Sequence, residues 1–300
     1  MNIRSTAFLL AASCIAACGH GAYAGELIEA VRASDYLEMN RLLKAGAGLN
    51  EVDWLYTDEI TPLMAAANAQ DPKAAKLLLE KKADPSFRTP TQKRSALMYI
   101  AAQTGIDETS AVEIMTLLLK AGARLNDTDD CGKTAVMYAV EYNNSRPAFL
   151  KTLLPFKPDL SIKDGSGNSA LYIAALSGYA DSARLLLEAG ADPNQMKREE
   201  KFITAPIHYA AENGHLEFVR TILEHKGNVN IQTAGGFAGM TPLHKAVEAR
   251  DVEMVKLILR FKPDLSIRDS SGSSALDYAH QGGGDELSEI IGLLQKAGAK

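Results

Sequence analysis

The chain is poor in the residues that usually announce chemistry. Its 300 residues hold three cysteines, six histidines and one tryptophan. Cys14 and Cys18 fall in the first 24 residues and only Cys131 remains beyond them, which excludes a disulfide scaffold. Cys131 stands beside Gly132 as an ordinary loop cysteine. None of the histidines has cysteine or carboxylate companions at metal-ligand spacing. G-x-S-x-G is absent, and Gly282-Gly-Gly284 follows no strand and lacks the lysine of a phosphate loop. No cofactor or metal is implied, and no catalytic constellation, so the sequence argues against an enzyme. Basic residues are not in excess: 32 Lys and Arg against 37 Asp and Glu leave a net charge of −5. That argues against nucleic acid or an anionic membrane as a partner. Long apolar runs are missing too. The stretch Thr6–Ala17 is too short for a permanent membrane span.

That short run instead reads as the core of an export segment over residues 1–24, preceded by Arg4. Two processing signals compete. Ala22-Tyr23-Ala24 would release a free chain from Gly25, whereas Ile15-Ala16-Ala17-Cys18 resembles a bacterial lipobox, ending the signal at residue 17 and lipidating Cys18. Either outcome predicts a periplasmic protein, free or anchored through a lipid at Cys18, its only membrane attachment.

Repetition is what the chain has in abundance. Ser169–Asn194, SALYIAALSGYADSARLLLEAGADPN, is a complete unit: a small polar start, an Ala-rich helix, a Gly turn, a second helix ending in LLL, then GAD-x-N. Its opening recurs as TPLMAA at Thr61, SALMYI at Ser95, TAVMYA at Thr134, APIHYA at Ala205, TPLHKA at Thr241 and SALDYA at Ser274. From Thr61 onward, the seven starts lie 34, 39, 35, 36, 36 and 33 residues apart. Thr or Ser before the first helix offers an acceptor to an unpaired N–H, and Pro after it costs no needed donor. Gly after the second helix, as at Gly46, Gly122, Gly190 and Gly298, suits a left-handed terminus. In Lys157-Pro-Asp159 and Lys262-Pro-Asp264 the motif departs from GAD. One copy buries too little apolar surface to order itself, so copies must stack.

A period near 33 with T-P-L-H-x-A, matched by Thr241–Ala246, resembles the ankyrin-repeat family over roughly residues 26–300. The resemblance implies an all-α solenoid of helix-turn-helix units with hairpin-like loops. Residues 25–300 then form one domain: a degenerate cap at 26–50 followed by seven repeats. At the signature's fourth letter, His208 and His244 are expected to bond neighbouring loop backbone. The insertion Gly105–Ser110, which accounts for the 39-residue spacing, offers Asp107 or Thr109 as a helix cap.

Binding by a repeat protein resides where copies differ. Connections such as Asp127–Lys133, Ile162–Asn168 and Ile267–Ser273 hold seven residues with an Asp-x-x-Gly turn, whereas Glu51–Ile60, Gln195–Thr204 and Ile231–Met240 hold ten. The longer ones carry Trp54, Leu55 and Tyr56; Lys197, Arg198 and Phe202; and Phe237, which are candidate partner contacts. Inner-helix positions after the Ala pair predict a groove lined by Glu141, Tyr142, Glu212 and Glu248, mildly acidic and suited to a basic or polar segment. Tyr99, Tyr138, Tyr209 and Tyr278 form a column expected to pack between repeats.

The family resemblance implies binding to a protein, by a chain monomeric in isolation. Two versions compete: an immunity-type inhibitor of a periplasmic toxin or enzyme, and an assembly or protective factor for a periplasmic enzyme, for instance in oxidative-stress defence.

Overall fold

The structure, a computed structural model, describes residues 24–53, 59–142, 147–198, 203–236 and 239–300. Residues 1–23 of the export segment, Cys18 among them, and the loop-tip candidates Trp54, Leu55, Tyr56, Phe202 and Phe237 lie outside the described residues. No helix among the described residues is long and apolar enough to cross a membrane.

The chain forms two compact units that divide between Pro158 and Asp159, inside one of the motifs that departs from GAD. In the first unit, α1 (Ala24–Arg32) pairs with α2 (Tyr36–Lys44), α3 (Pro62–Asn68) with α4 (Pro72–Glu80), α5 (Ala96–Ala101) with α6 (Glu108–Lys120), and α7 (Ala135–Tyr142) with α8 (Pro147–Leu153). Inner helices α1, α3, α5 and α7 pack each on the next, and outer helices α4, α6 and α8 do likewise. The second unit repeats this arrangement with α9 (Ala170–Ser177) and α10 (Ala180–Glu188), α11 (Pro206–Glu212) and α12 (Leu216–Glu224), α13 (Pro242–Glu248) and α14 (Val252–Arg260), and α15 (Ala275–His280) and α16 (Asp285–Lys296).

The sequence pattern dictates these elements. Inner helices are apolar nearly all round: Leu63 to Ala67 and Ala170 to Ala175 are buried without a break, because neighbours cover both sides. Small alanines let those neighbours approach closely. Outer helices are one-sided, and in α6 Ala111, Ile114, Met115 and Leu118 form the buried stripe at helical spacing. Thr61, Ser95, Ser169 and Thr241 each accept the N–H three residues on, closing the first turn as the signature predicts. Asp107, one of the two proposed caps of the inserted turn, accepts the Ser110 N–H at 2.7 Å.

Consecutive copies are also stitched through their closing motifs. The Oδ1 of Asn50 accepts the Asp84 N–H at 2.9 Å, and Asn194 and Asn230 repeat this with Asn228 and Asp264. The long connections are paired at their bases. Asp53 bridges Ile60, β1 (Lys197–Arg198) pairs with β2 (Ile203–Thr204), and Ile203 bridges onward to Ala234 of the next connection.

Candidate functional site: a cleft on the inner helices of the second unit

The eighth letter of each copy, counted from its opening residue, emerges at the end of the inner helix, and the fifth lies about one turn earlier on the same face. In the second unit these positions bring together Tyr209 and Glu212 from α11, Lys245 and Glu248 from α13, and Tyr278 from α15. Tyr172 of α9, Thr204 of β2 and Met240 complete a cleft of about 440 Å³, with buried His208 and Thr233 behind it. Aromatic walls with a few convergent charged groups are the usual make-up of a ligand-binding cavity.

Charge is distributed unevenly along the cleft. Lys245 is only 16% exposed, and its Nζ lies 2.9 Å from Oε2 of Glu248 and 3.5 Å from Oε1 of Glu212. One lysine thus serves two carboxylates that remain about half exposed, and this end stays net negative. At the other end the Lys197 ammonium rests 4.9 Å from the centre of the Tyr172 ring, a cation–π contact. Tyr172 and Tyr209 follow each other at 6.3 Å, as the expected packing between repeats requires.

The wall behind the acidic end is fixed by hydrogen bonds. Tyr278 donates its hydroxyl to Oδ2 of Asp269 at 2.6 Å, and this bond with burial pushes the phenol up to about 12. Burial opposes the charged form of Asp269, but bonds from Ser271, Tyr278 and the turn N–H groups outweigh it and hold the carboxyl at about 2. His208 bonds loop backbone as the signature implies. Its Nδ1 accepts the Ala205 N–H at 3.1 Å, so Nε2 carries the proton and donates to the Ile231 carbonyl at 2.9 Å. His244 repeats the pattern between Thr241 and the Ser273 carbonyl. Burial pushes the His208 imidazole down to about 4 and lowers His244 as well, so both are neutral structural links.

Of the groove residues named from sequence, Glu212 and Glu248 meet here. Arg198 is exposed on β1, outside the cleft lining. Glu141 and Tyr142 belong to a separate cluster in the first unit. There Glu141 pairs with Lys133 at 2.5 Å, and Tyr142 stacks on Tyr138 with ring centres 6.0 Å apart. Tyr138 donates to Asp129 and receives a bond from Arg94 at 3.2 Å. Among the described residues, Asp129, Asp130 and Cys131 could bring three ligand atoms together for a cation. Asp129, however, already accepts the Tyr138 hydroxyl and the N–H groups of Cys131 and Lys133. The carboxylates of Asp130 and Asp129 push the exposed Cys131 thiol up, away from a reactive thiolate.

Lys245, Thr204 and Met240 were not singled out by the sequence reading. Lys245 had a signal: it is the variable letter x of T-P-L-H-x-A, in the same column as the tyrosines.

Comparison with known proteins agrees with this architecture. The family model described as ankyrin repeats (3 copies) matches residues 27–129, 108–197 and 207–300. The ankyrin repeat domain-containing protein SAT10 of Stachybotrys chartarum is 28% identical over 167 residues, 56% of this chain and 8% of that protein. Human SH3 and multiple ankyrin repeat domains protein 2 is 31% identical over 168 residues, 54% of this chain and 8% of its own length. The rice probable E3 ubiquitin-protein ligase XBOS32 is 35% identical over 127 residues, 42% of this chain and 24% of that protein. These relatives are far longer than the part matched, so the likeness extends to the repeats alone. With signature, helix pairs and family model in agreement over most of its length, the chain belongs to the ankyrin-repeat family.

Proposed function

We propose that this chain is an exported interaction protein that holds one protein partner in the cleft of its second unit, next to the long connections. As an ankyrin-repeat chain it is a protein–protein interaction module, built on a non-catalytic fold. The observation that carries the finer reading is the cleft itself. Tyr209, Glu212, Lys245, Glu248 and Tyr278 converge there from three successive copies, and the two glutamates remain about half exposed at its rim. Rigid aromatic walls with a charged rim are the make-up of an interface anchor site.

Export is supported by Arg4, the apolar run Thr6–Ala17 and the two processing signals after it. The periplasm, with or without a lipid at Cys18, is the compartment they address. Sequestering a toxin or enzyme there, as an immunity-type inhibitor does, is the action best suited to a module without chemistry of its own. The test is site-specific cross-linking. A photoreactive residue at Met240 should capture one dominant periplasmic partner, and the same residue at the exposed Lys76 on the outer helix α4 should not. Equal capture from both positions rejects the cleft, and mass spectrometry of the N-terminus in the membrane and soluble fractions decides how the chain is exported.

A further inference from the structure

The charge and shape of the cleft define what it takes. Glu212 and Glu248 share Lys245 through one oxygen each, Oε1 and Oε2 respectively. No described residue engages the second oxygen of either carboxylate. Both glutamates line the cleft beside that largely buried lysine, and its walls include Tyr209 and Tyr278. Glu248 and Asp269 both place negative charge beside Tyr278, reinforcing the acidic end. The cationic groups near the cleft are already committed, Lys245 to its two glutamates and Lys197 to the face of Tyr172. Lys197 also shows that a cation rests well against this aromatic wall. The rings of Tyr209 and Tyr278 carry no such guest among the described residues.

We propose that the cleft is an arginine-binding pocket, which receives one arginine side chain from an extended segment of the protein partner. This rests on the reading that the cleft is the partner site, and adds the chemistry of what enters it. Arginine fits better than lysine for a geometric reason. Two carboxylates on successive inner helices, each with an oxygen to spare beside Lys245, call for a planar group with several divergent donors. A guanidinium can bridge both while lying on an aromatic face, whereas an ammonium is a point charge with no plane to stack. A carboxylate-bearing segment would meet a net negative rim.

The experiment uses the purified full chain with isotope-labelled methyl groups, titrated with acetyl-Gly-Arg-Gly-amide. The control is the same tripeptide with citrulline, which keeps the shape and removes the charge. The arginine probe should shift the methyl signals of Met240 and Thr233 saturably and leave that of buried Ile114 in the first unit unmoved. The citrulline probe should bind about tenfold more weakly or less, as the loss of a charged hydrogen bond requires. The double variant Glu212→Gln/Glu248→Gln, with its Ile114 signal unchanged, should lose the response. Equal shifts from both probes, no saturable shift with arginine, or an unaffected double variant would each overturn the proposal. Persistent cross-linking from Met240 alongside a failed titration sinks the arginine pocket alone. Loss of both removes the cleft reading as well.

Discussion

Tyr278 reaches back nine residues to donate its hydroxyl to Asp269 at 2.6 Å, and Tyr138 makes the same bond to Asp129 in the other unit. In both, the aspartate's other oxygen accepts two N–H groups of its own Asp-x-x-Gly turn. The tyrosine therefore locks the loop to the inner helix that follows it. The copy at Ser169 shows the alternative: Ile173 occupies the tyrosine's place, and Asn168 supplies the bond to Asp164 at 3.0 Å. Tyr278→Phe keeps the ring and removes the lock, so it should lower stability by about 1 kcal/mol. Tyr138→Phe should cost more, since Tyr138 is almost wholly buried and leaves an oxygen of buried Asp129 without its donor. Denaturant midpoints of the two variants check the order; equal, negligible shifts would mean that the turns hold without the tyrosines.

Acid should weaken the second unit through His208. Its imidazole titrates at about 4 when folded and near the ordinary 6.5 when unfolded, because burial disfavours the charged ring. Between those values the unfolded chain takes up a proton that the folded one refuses. Stability therefore falls as pH drops from 6.5 to about 4, by on the order of 3 kcal/mol in all, and this contribution levels off below. His244 adds to the loss in the same direction. Asp269, held at about 2, acts lower, losing its contribution only as pH falls below the ordinary carboxylate range. Thermal melts between pH 7 and 4 should show the decline, and His208→Gln should flatten it. A wild-type melting point independent of pH over this window contradicts the assignment.

Much of this was legible in the sequence because it is local. A helix cap needs only Thr241 and a backbone N–H three residues on, and a left-handed glycine only its place after LLL. The long connections were harder. Ile203 meets Ala234 across two successive loops, a pairing that depends on how copies stack and leaves no mark in either segment. The tyrosine column packs between copies as expected, Tyr209 against Tyr172, Tyr278 against His244 and Tyr138 under Arg94. The hydroxyls of Tyr138 and Tyr278 also bind the turns before their helices, which the expectation did not include. The groove was read as acidic because glutamates stand out at its positions. Lys245 hid among the repeat's own letters, although it decides how much of that acidity is left. The loop-tip aromatics, including Trp54 and Phe237, lie outside the described residues.

Four copies place a lysine where the repeat favours glycine. Lys82 has φ 76 and closes α4 with N–H bonds to Leu79 from itself and to Leu78 from Ala83, the same geometry that Gly190 provides after α10 at φ 97. A side chain in this conformation is strained by about 1–2 kcal/mol, and glycine's greater freedom in the unfolded chain offsets part of the relief. Lys82 is exposed and loses no packing on replacement. Lys82→Gly should therefore stabilise by about 0.5–1 kcal/mol, and Gly190→Lys should destabilise by a similar amount. Urea midpoints measured on both variants decide the matter, and shifts of the same sign would contradict it.

Removing the lysine in the cleft separates structural from recognition roles. The two glutamates beside Lys245 are about half exposed, with side-chain accessibilities of 49% and 48%, so water screens them once the ammonium is gone. Lys245→Met should therefore change stability by no more than about 1 kcal/mol. Its effect on binding should be larger and of opposite sense to a loss. Lys245 is the resident cation with which an incoming guanidinium competes, and without it both carboxylates are free to turn toward the guest. The variant should bind the arginine tripeptide several-fold more tightly at low salt, and the gain should shrink toward 0.5 M NaCl as screening shortens its reach. His208 supplies a second readout, because the Lys245 charge helps to hold its imidazole down. Without that charge the folded ring accepts a proton more readily, so the acid-induced loss of stability should become smaller. Weaker binding in Lys245→Met would make the lysine part of the recognition surface and not a competitor for it, since only then does its removal take away a contact the guest uses.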